Sequence, residues 1–255
     1  MAAPSKGRKS SKSPESSPRT RAALATQVRA VLAALERQGS RKAHEDMATR
    51  YGIVVKKAWG VPMSAMQRVA RDLGKDHELA LALWDTGWYE ARTVAAYVDD
   101  PALVTPAQMD RWCRDFDNWG IVDTICFVLF DRTPQAFAKA AAWSRKREEF
   151  QKRAGFVLMA CLALHDKKTG DEAFLSFLPL AERAADDGRN FVKKGVSWAL
   201  RAIGRRTPGL HARTVKLARD LAGSADATRR SLGKEVLREL TSPKVIRAVG
   251  AKRAG

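Results

Sequence analysis

The sequence predicts an all-α protein in which antiparallel helix pairs stack into a solenoid. Apolar residues recur at three- and four-residue spacing in nearly every segment after residue 20. No stretch alternates apolar and polar residues between turn signals, as a half-buried strand would. Helical patterns of roughly 10–18 residues, separated by brief linkers, form pairs that recur at roughly 35–45 residues. Strict sequence periodicity is weak, so a globular helical bundle is the alternative.

The first helical pattern follows a polar segment. Residues 1–20, "MAAPSKGRKSSKSPESSPRT", are rich in Ser, Pro, Lys and Arg and predict a disordered basic tail, leaving a folded domain over 21–250. The tail either makes weak phosphate contacts or is a passive solubilising segment. In "RAALATQVRAVLAALERQG", which Gly39 ends, five apolar residues share one helical face: Leu24, Val28, Val31, Leu32 and Leu35.

Later helical patterns have clear start and stop signals. "MSAMQRVARDLG" follows Pro62, and "DHELALALWDTG" and "WYEARTVAAYV" form a pair broken by "DTG". "TPAQMDRWCRDF" has Thr105 as N-cap and proline in the first turn, and "TPQAFAKAAAWS" repeats that opening at Thr133. The remaining predicted helices are "IVDTICFVLF", "KREEFQKRAGFVLMACLALH", "GDEAFLSFLPLAERAAD", "RNFVKKGVSWALRAIGRR", "LHARTVKLARDLAG" and "ATRRSLGKEVLREL".

Charge is the strongest compositional signal. The 255-residue chain carries 46 Lys+Arg against 28 Asp+Glu, a formal net charge of +18. Such an excess attracts polyanions, of which nucleic acid is the usual one. A base-composition bias of the genome toward Arg and Ala codons is the alternative explanation.

Cysteines, histidines and apolar runs exclude several classes of protein. The three cysteines lack paired spacing, and Cys126 and Cys161 lie in apolar helical runs typical of a core, which fits a reducing cytoplasm. The four histidines lack metal-ligand spacing, so no metal site is predicted. No apolar run approaches the ~20 residues of a membrane span. We therefore expect a cytoplasmic monomer that associates with the nucleoid through DNA and makes no membrane contact.

The stretch "DFDNWGIVDT" places acidic residues beside an indole. Trp119 and Asp123 are four residues apart and therefore share one helical face. Asp117 or Asn118 stands where an N-cap belongs. Capping does not explain Asp123, which lies past the first turn and has no Lys or Arg four residues away on either side. Asp123 is thus a candidate functional carboxylate.

A second candidate surface lies on "FVKKGVSWALRAIGRR". Three- and four-residue steps place Lys194, Trp198, Arg201 and Arg205 on one face of the helix. A tryptophan among outward cations is typical of a surface that contacts phosphates and sugars. The alternative is a cationic face that covers one half-buried indole. The turn "DDGRNF" before this helix adds Arg189 as a possible phosphate contact.

Two interpretations apply to "LWDTGWYEAR". Trp84, Trp88, Glu90 and Arg92 form either a second aromatic-basic patch or part of the structure. We favour the structural interpretation, with Glu90 and Arg92 pairing between helices, because such networks are frequent. By their spacing, two further tryptophans belong to the core: Trp112 and Trp143.

Five segments resemble the AlkD-like family of DNA alkylation repair enzymes, which are HEAT-like-repeat DNA glycosylases. The resemblance covers roughly residues 45–240 and excludes the tail. It implies a right-handed-type superhelical solenoid of HEAT-like helix pairs. The segments, in the family's order, are "YGIVVKKAWGVPMSAMQRVAR", "LALALWDTGWYEARTVAAYVDDP", "MDRWCRDFDNWGIVDTIC", "QKRAGFVLMACLALHDK" and "NFVKKGVSWALRAIGRR".

The resemblance also implies an activity and a set of residues. The activity is excision of cationic N3- and N7-alkylated purines from duplex DNA in base excision repair, without drawing the damaged base into a pocket. The family's catalytic Asp falls on Asp123, its two backbone-flanking tryptophans on Trp119 and Trp198, and its phosphate-contacting Arg on Arg153. Because the leaving base is already cationic, the chemistry needs no general acid, and neither a metal nor an organic cofactor is expected.

The chain departs from the family's pattern at Gly120, where members commonly carry a second acidic residue after the tryptophan. Glycine inside a helix costs about 1 kcal/mol relative to alanine, although it is tolerated in the first turn. Two other functions stay open. A non-catalytic scaffold for bent or branched DNA would use the same fold and charge, and so would a helical-repeat adaptor for an acidic protein partner.

Overall fold

The computed structural model describes residues 20–251, so the predicted tail lies, except for Thr20, outside the described residues. The α-helices are α1 Arg21–Glu36, α2 Arg41–Thr49, α3 Met63–Leu73, α4 His77–Asp85, α5 Tyr89–Val98, α6 Pro106–Arg114, α7 Trp119–Val128, α8 Ala136–Trp143, α9 Glu149–His165, α10 Asp171–Leu175, α11 Leu178–Arg183, α12 Asn190–Gly204, α13 Pro208–Ala222, α14 Ala227–Leu240 and α15 Pro243–Ala251. A 3-10 helix, Phe130–Arg132, follows α7. Residues 20–251 contain no β-strand.

Capping side chains fix where several helices begin. Thr105 accepts the N–H of Gln108 at the start of α6, and Pro106 occupies the first turn as predicted. Thr20 caps α1 by accepting the N–H of Ala23, so it belongs to the first helix and not to the tail. The division between tail and domain otherwise stays a prediction.

Three helix predictions need correction. The Thr133 hydroxyl donates to the Phe130 carbonyl and caps no helix, so α8 begins three residues later, at Ala136. The stretch "GDEAFLSFLPLAERAAD" forms two short helices because Pro179 has no N–H for a bond back to Leu175. Helices α2 and α15 are not among those that the sequence patterns predict. Helix α2 has only three apolar residues, Ala43, Met47 and Ala48, and no buried side chain, so its sequence contains little apolar signal.

Neighbouring helices pack in two layers. Layer A consists of α3, α5, α7, α9, α12 and α14, and each of these helices packs against the next in that order. Layer B covers one side of layer A with the intervening helices, and its main contacts are α4 on α5, α8 on α9, and α13 on both α12 and α14. This succession of paired helices is the predicted solenoid. Trp119, Asp123, Arg153 and Trp198 all lie on layer A.

Stacked indoles connect successive helix pairs within the core. Trp84 and Trp112 stack with ring centroids 4.0 Å apart, and Phe130 lies between Trp112 and Trp143 at about 6 Å from each ring. Trp112 and Trp143 are buried, which confirms that they are core residues, and so are Cys126 and Cys161. Across residues 20–251, no helix is long and apolar enough to cross a membrane.

Candidate active site

The start of α7 is fixed by Asn118. Its side-chain oxygen accepts the N–H of Ile121 at 3.0 Å, so Asn118 is the N-cap. Asp117 is exposed and accepts a hydrogen bond from the Asn118 amide at 2.7 Å. The predicted choice between the two residues is thereby resolved. Trp119 is the first residue of the helix, and Asp123 follows one turn later on the same face.

Asp123 is held by a guanidinium from the next helix of layer A. Arg153 of α9 donates from Nε to Oδ1 at 3.0 Å and from a terminal nitrogen to Oδ2 at 2.7 Å, a bidentate pair. The Arg153 side chain is 6% exposed and that of Asp123 is 22% exposed, so solvent reaches the carboxylate more than the guanidinium. Burial raises the pKa of Asp123 above its usual value, and the charge and hydrogen bonds of Arg153 oppose that rise.

Arg153 also ties the carboxylate to α12. Its other terminal nitrogen donates to the carbonyl of Phe191 at 2.8 Å. Helices α9 and α12 are in contact here, since a Cβ at Gly195 would lie 3.5 Å from the Arg153 side chain and 3.6 Å from its carbonyl oxygen. The structure therefore shows Arg153 orienting Asp123. A direct contact between Arg153 and phosphate stays a prediction.

The indole of Trp119 is held by Tyr51, the first residue of a segment that resembles the family but that has no predicted role at the site. The indole Nε1–H donates to the carbonyl of Tyr51 at 2.9 Å. Tyr51 lies in the irregular stretch between α2 and α3, far from Trp119 along the chain. This contact sets the rotation of the half-buried indole. Nothing in the local sequence could have revealed it, because a backbone carbonyl carries no residue signature.

Packing explains Gly120. A Cβ at this position would lie 2.9 Å from Ile53 Cδ1, 2.9 Å from the Tyr89 hydroxyl and 3.3 Å from the Asn118 side-chain oxygen. Tyr89 and Ile53 therefore occupy the space that a side chain would need. An acidic side chain at position 120 would also lie beside the Tyr89 hydroxyl. Burial, together with nearby acidic groups, raises the pKa of that hydroxyl to about 12.

Replacing Gly120 with Ala is expected to destabilise the protein by about 1–2 kcal/mol, because overpacking by the added methyl group, which costs about 1–3 kcal/mol, outweighs the gain of up to about 1 kcal/mol in helix propensity. Chemical denaturation followed by circular dichroism measures the change. The Tyr89→Phe substitution removes one of the two contacts at 2.9 Å. In that background, Gly120→Ala should therefore lower the free energy of unfolding by less than it does in the wild type. Equal stability of Gly120→Ala and wild type would contradict the packing explanation.

The predicted cationic face of α12 is partly neutralised by α14. Arg201 and Arg205 both contact the carboxylate of Glu239, each at 2.6 Å. Lys194 is exposed, and Trp198 is half-buried against the core. The opposite face of α12 is buried in the core and consists of Val192, Val196, Leu200 and Ile203. The two cationic arginines, the lysine and the tryptophan therefore share the predicted outward face.

Arg189 makes a comparable pair at the turn before α12. It donates from Nε and a terminal nitrogen to the two oxygens of Asp187, and from its other terminal nitrogen to the Arg147 carbonyl. Lys152 contacts the same carboxylate at 2.8 Å. These cations hold the pKa of Asp187 well below its usual range. The Arg189 side chain is 40% exposed, so part of the guanidinium faces solvent.

The predicted pairing of Glu90 with Arg92 is wrong, although both residues do have structural roles. Glu90 is fully buried, and its Oε1 accepts the backbone N–H groups of residues 59–61. Arg92 instead lies over the Trp84 ring at 4.8 Å and contacts Asp115 at 3.5 Å. The two side chains are only two positions apart on α5, so they point in different directions.

Fold and site together define a helical-repeat protein with a carboxylate–guanidinium pair and two tryptophans on one helical layer. The chain belongs to the family of DNA alkylation repair enzymes, whose model matches residues 31–240. Among curated proteins, no significant match is found.

One solved structure shows the same architecture. This structure, described as a new family of proteins related to the HEAT-like repeat DNA glycosylases with affinity for branched DNA structures, is 20% identical. It covers 83% of this chain and 94% of its own, with a TM-score of 0.68. A designed armadillo repeat protein, 11% identical, covers 70% of this chain and 92% of its own at a TM-score of 0.32. The match at a TM-score of 0.68 confirms the predicted HEAT-like solenoid.

Proposed function

We propose that this protein is a DNA glycosylase that excises cationic N3- and N7-alkylated purines from duplex DNA in base excision repair. The observation that carries the proposal is the Asp123 carboxylate, which Arg153 holds rigidly one helical turn from the Trp119 indole. Membership of the DNA alkylation repair family supports the substrate class. The protein would act as a monomer on DNA bound along layer A.

The reaction requires stabilisation of one developing charge. An alkylated purine carries a positive charge, so when the C1′–N9 bond breaks, its electron pair neutralises the base, which leaves without prior protonation. The positive charge moves to the deoxyribose as an oxocarbenium-like species. Water then bonds to C1′ and loses a proton. A fixed carboxylate beside the sugar stabilises the cation and orients or deprotonates the water.

The hydrogen bonds of Asp123 suit that role. Each of its oxygens accepts one N–H from Arg153, and a carboxylate oxygen has a second lone pair for a water molecule or the sugar. A carboxylate that is already oriented needs no reorganisation when the charge develops. The partial exposure of Asp123 leaves it accessible from the surface of layer A.

The two indoles would stabilise the same developing positive charge on the deoxyribose. An indole face attracts a cation, and this attraction strengthens as the sugar becomes positive. Trp119 and Trp198 would therefore stabilise the transition state more than the ground state, which accelerates the reaction. Exposed cations on the same helical layer, such as Lys194, would contact phosphates. The three arginines that pair with acidic side chains would share their charge with DNA: Arg189, Arg201 and Arg205.

Release of free base tests the proposal. Duplex DNA with one 7-methylguanine is incubated with excess protein, and the released base is measured against the spontaneous rate in buffer. We expect release well above that rate with wild-type protein and none with unmodified duplex. Release at the spontaneous rate would remove the proposed activity. A panel with 3-methyladenine and a bulkier N7 adduct would then define the lesion range.

The second candidate is a non-catalytic scaffold that binds bent or branched DNA. It is favoured by the solved structure similar in fold that is described as having affinity for branched DNA. A scaffold would bind a four-way junction much more tightly than a linear duplex, lose affinity steeply with salt, and release no base. Junction preference in a competition assay, combined with absence of base release, would select this function.

A further inference from the structure

The segment of residues 51–62 connects α2 to α3 and lies across the starts of α5 and α7. At its beginning, the Tyr51 carbonyl accepts the Trp119 indole N–H, and Ile53 is buried beside Gly120. It therefore contacts the first two residues of the helix that carries Asp123. The segment has no regular secondary structure of its own. The N–H groups of its first three residues donate to carbonyls of α2, and α2 is bonded in turn to the far end of the segment, because the Ser40 N–H donates to the Trp59 carbonyl at 2.9 Å.

Its far end is attached to α5 through one buried carboxylate. Oε1 of Glu90 accepts the N–H groups of Trp59 at 2.9 Å, Gly60 at 2.8 Å and Val61 at 3.3 Å. The Glu90 side chain is 0% exposed, and Oε2 is buried without a hydrogen-bond partner among the described residues. A carboxylate is costly to bury, so three backbone donors on one oxygen indicate a specific attachment.

Neighbouring contacts reinforce this attachment. The Trp59 ring stacks on Trp88, with centroids 3.7 Å apart and planes 5° apart. The N–H of Tyr89 donates to the Lys57 carbonyl at 2.9 Å. Gly60 has φ of 75°, and a Cβ there would lie 2.4 Å from the α2 backbone, so only glycine fits between α2 and Glu90. The segment is thus held at both ends by residues outside it.

We infer that Glu90 is a positioning residue for the active site, acting through the 51–62 segment on the orientation of the Trp119 indole. This role rests on the proposed glycosylase function of Trp119. Glu90 touches neither Trp119 nor Asp123, so it would contribute nothing to DNA contact itself. Its effect would appear in the rate of base release, because a misplacement of about 1 Å at a reacting centre costs up to about 100-fold in rate.

The test combines Glu90→Gln with a direct measurement on the indole. Gln keeps the size and one acceptor oxygen but removes the charge that draws three N–H groups together. Solvent exchange of the Trp119 indole proton, assigned by its absence in Trp119→Phe, should accelerate at least about tenfold. The single-turnover rate of 7-methylguanine release should fall about tenfold, while the Kd for undamaged duplex changes less than about twofold.

Asp99→Asn is the matched control. Asp99 is also fully buried at the other end of α5, where it hydrogen-bonds to His77 and Gln108 at 2.6 Å each. Loss of the Asp99 charge should lower the free energy of unfolding. It should change neither the exchange rate of the Trp119 indole proton nor the ratio of base-release rate to duplex affinity. If Glu90→Gln changes exchange and rate no more than Asp99→Asn does, the inference is wrong.

Native-state exchange in the wild type provides a test that does not depend on folding of a variant. The Trp119 indole proton and the amide of Gly60 should show the same dependence on low denaturant concentration, because one local opening of the segment exposes both. Different dependences would overturn the inference. Exchange does not require enzymatic activity, so absence of base release by the wild type would refute the glycosylase proposal while leaving the link between Glu90 and Trp119 testable.

Discussion

Asp123→Asn is expected to lower the single-turnover rate of 7-methylguanine release by about 10²–10³-fold. Asn preserves the size of the side chain but cannot offer a negative charge to the developing sugar cation. The positions of both indoles should be unaffected, so binding of undamaged duplex should be retained. The measurement is base release under protein excess, with circular dichroism to verify that the variant is folded.

Asp117→Asn is the matched control for that variant. Asp117 lies six residues before Asp123, is exposed, and is hydrogen-bonded to the Asn118 side chain. Both substitutions raise the net charge by one, so any general increase in DNA attraction cancels between them. The control should release base at nearly the wild-type rate. Equal rates for the two variants would show that Asp123 has no catalytic role.

Arg153→Met is expected to lower the free energy of unfolding by about 3–5 kcal/mol, the usual cost of removing one partner from a buried ion pair. The substitution leaves the Asp123 carboxylate without its bidentate partner and removes the hydrogen bond from Arg153 to the Phe191 carbonyl. It should also abolish most base release, since the carboxylate loses its fixed orientation. Urea denaturation measures the stability, and the activity assay is run well below the unfolding transition.

A double-mutant cycle separates the energy of the Arg153–Asp123 ion pair from the energy of packing the aliphatic part of the Arg153 side chain. Arg153→Met combined with Asp123→Asn should cost less than the sum of the two single changes, by about 0.5–3 kcal/mol. Arg201→Met is the comparison for a more exposed pair, because the Arg201 side chain is 30% exposed and pairs with Glu239. It should cost about 1 kcal/mol or less. Similar losses for Arg153→Met and Arg201→Met would contradict the buried-pair interpretation.

Several structural features were predictable because their causes are local. Helix periodicity, the Thr105 cap and the inward face of α12 all depend on residues within one or two turns. The shared face of Trp119 and Asp123 follows from their four-residue spacing. Two helix predictions are wrong for reasons that are also local: the Thr133 hydroxyl donates to the Phe130 carbonyl and caps no helix, and Pro179 separates α10 from α11.

The candidate site was predictable only in part. Spacing and charge point to Asp123, Trp119 and Trp198, whereas Arg153 and the role of each residue come only from the family resemblance. The structure brings Asp123 and Arg153 into contact. The sequence could not indicate that Arg153 uses its donors on Asp123 and Phe191, or that Arg201 and Arg205 share Glu239. Partners of a charged side chain on other helices depend on how the helices stack, which one helical pattern does not contain.

Periodicity and composition are enough to predict the all-α architecture, the excess of positive charge and the helical face on which Asp123 lies. Why residue 120 is glycine, what holds the Trp119 indole and what Glu90 binds follow only from the packing of distant segments. Those three answers meet in the 51–62 segment, whose backbone groups contact α5 and α7 across large separations in the chain. Backbone N–H and carbonyl groups are the same in every residue except proline, so their long-range pairing leaves no pattern in the sequence.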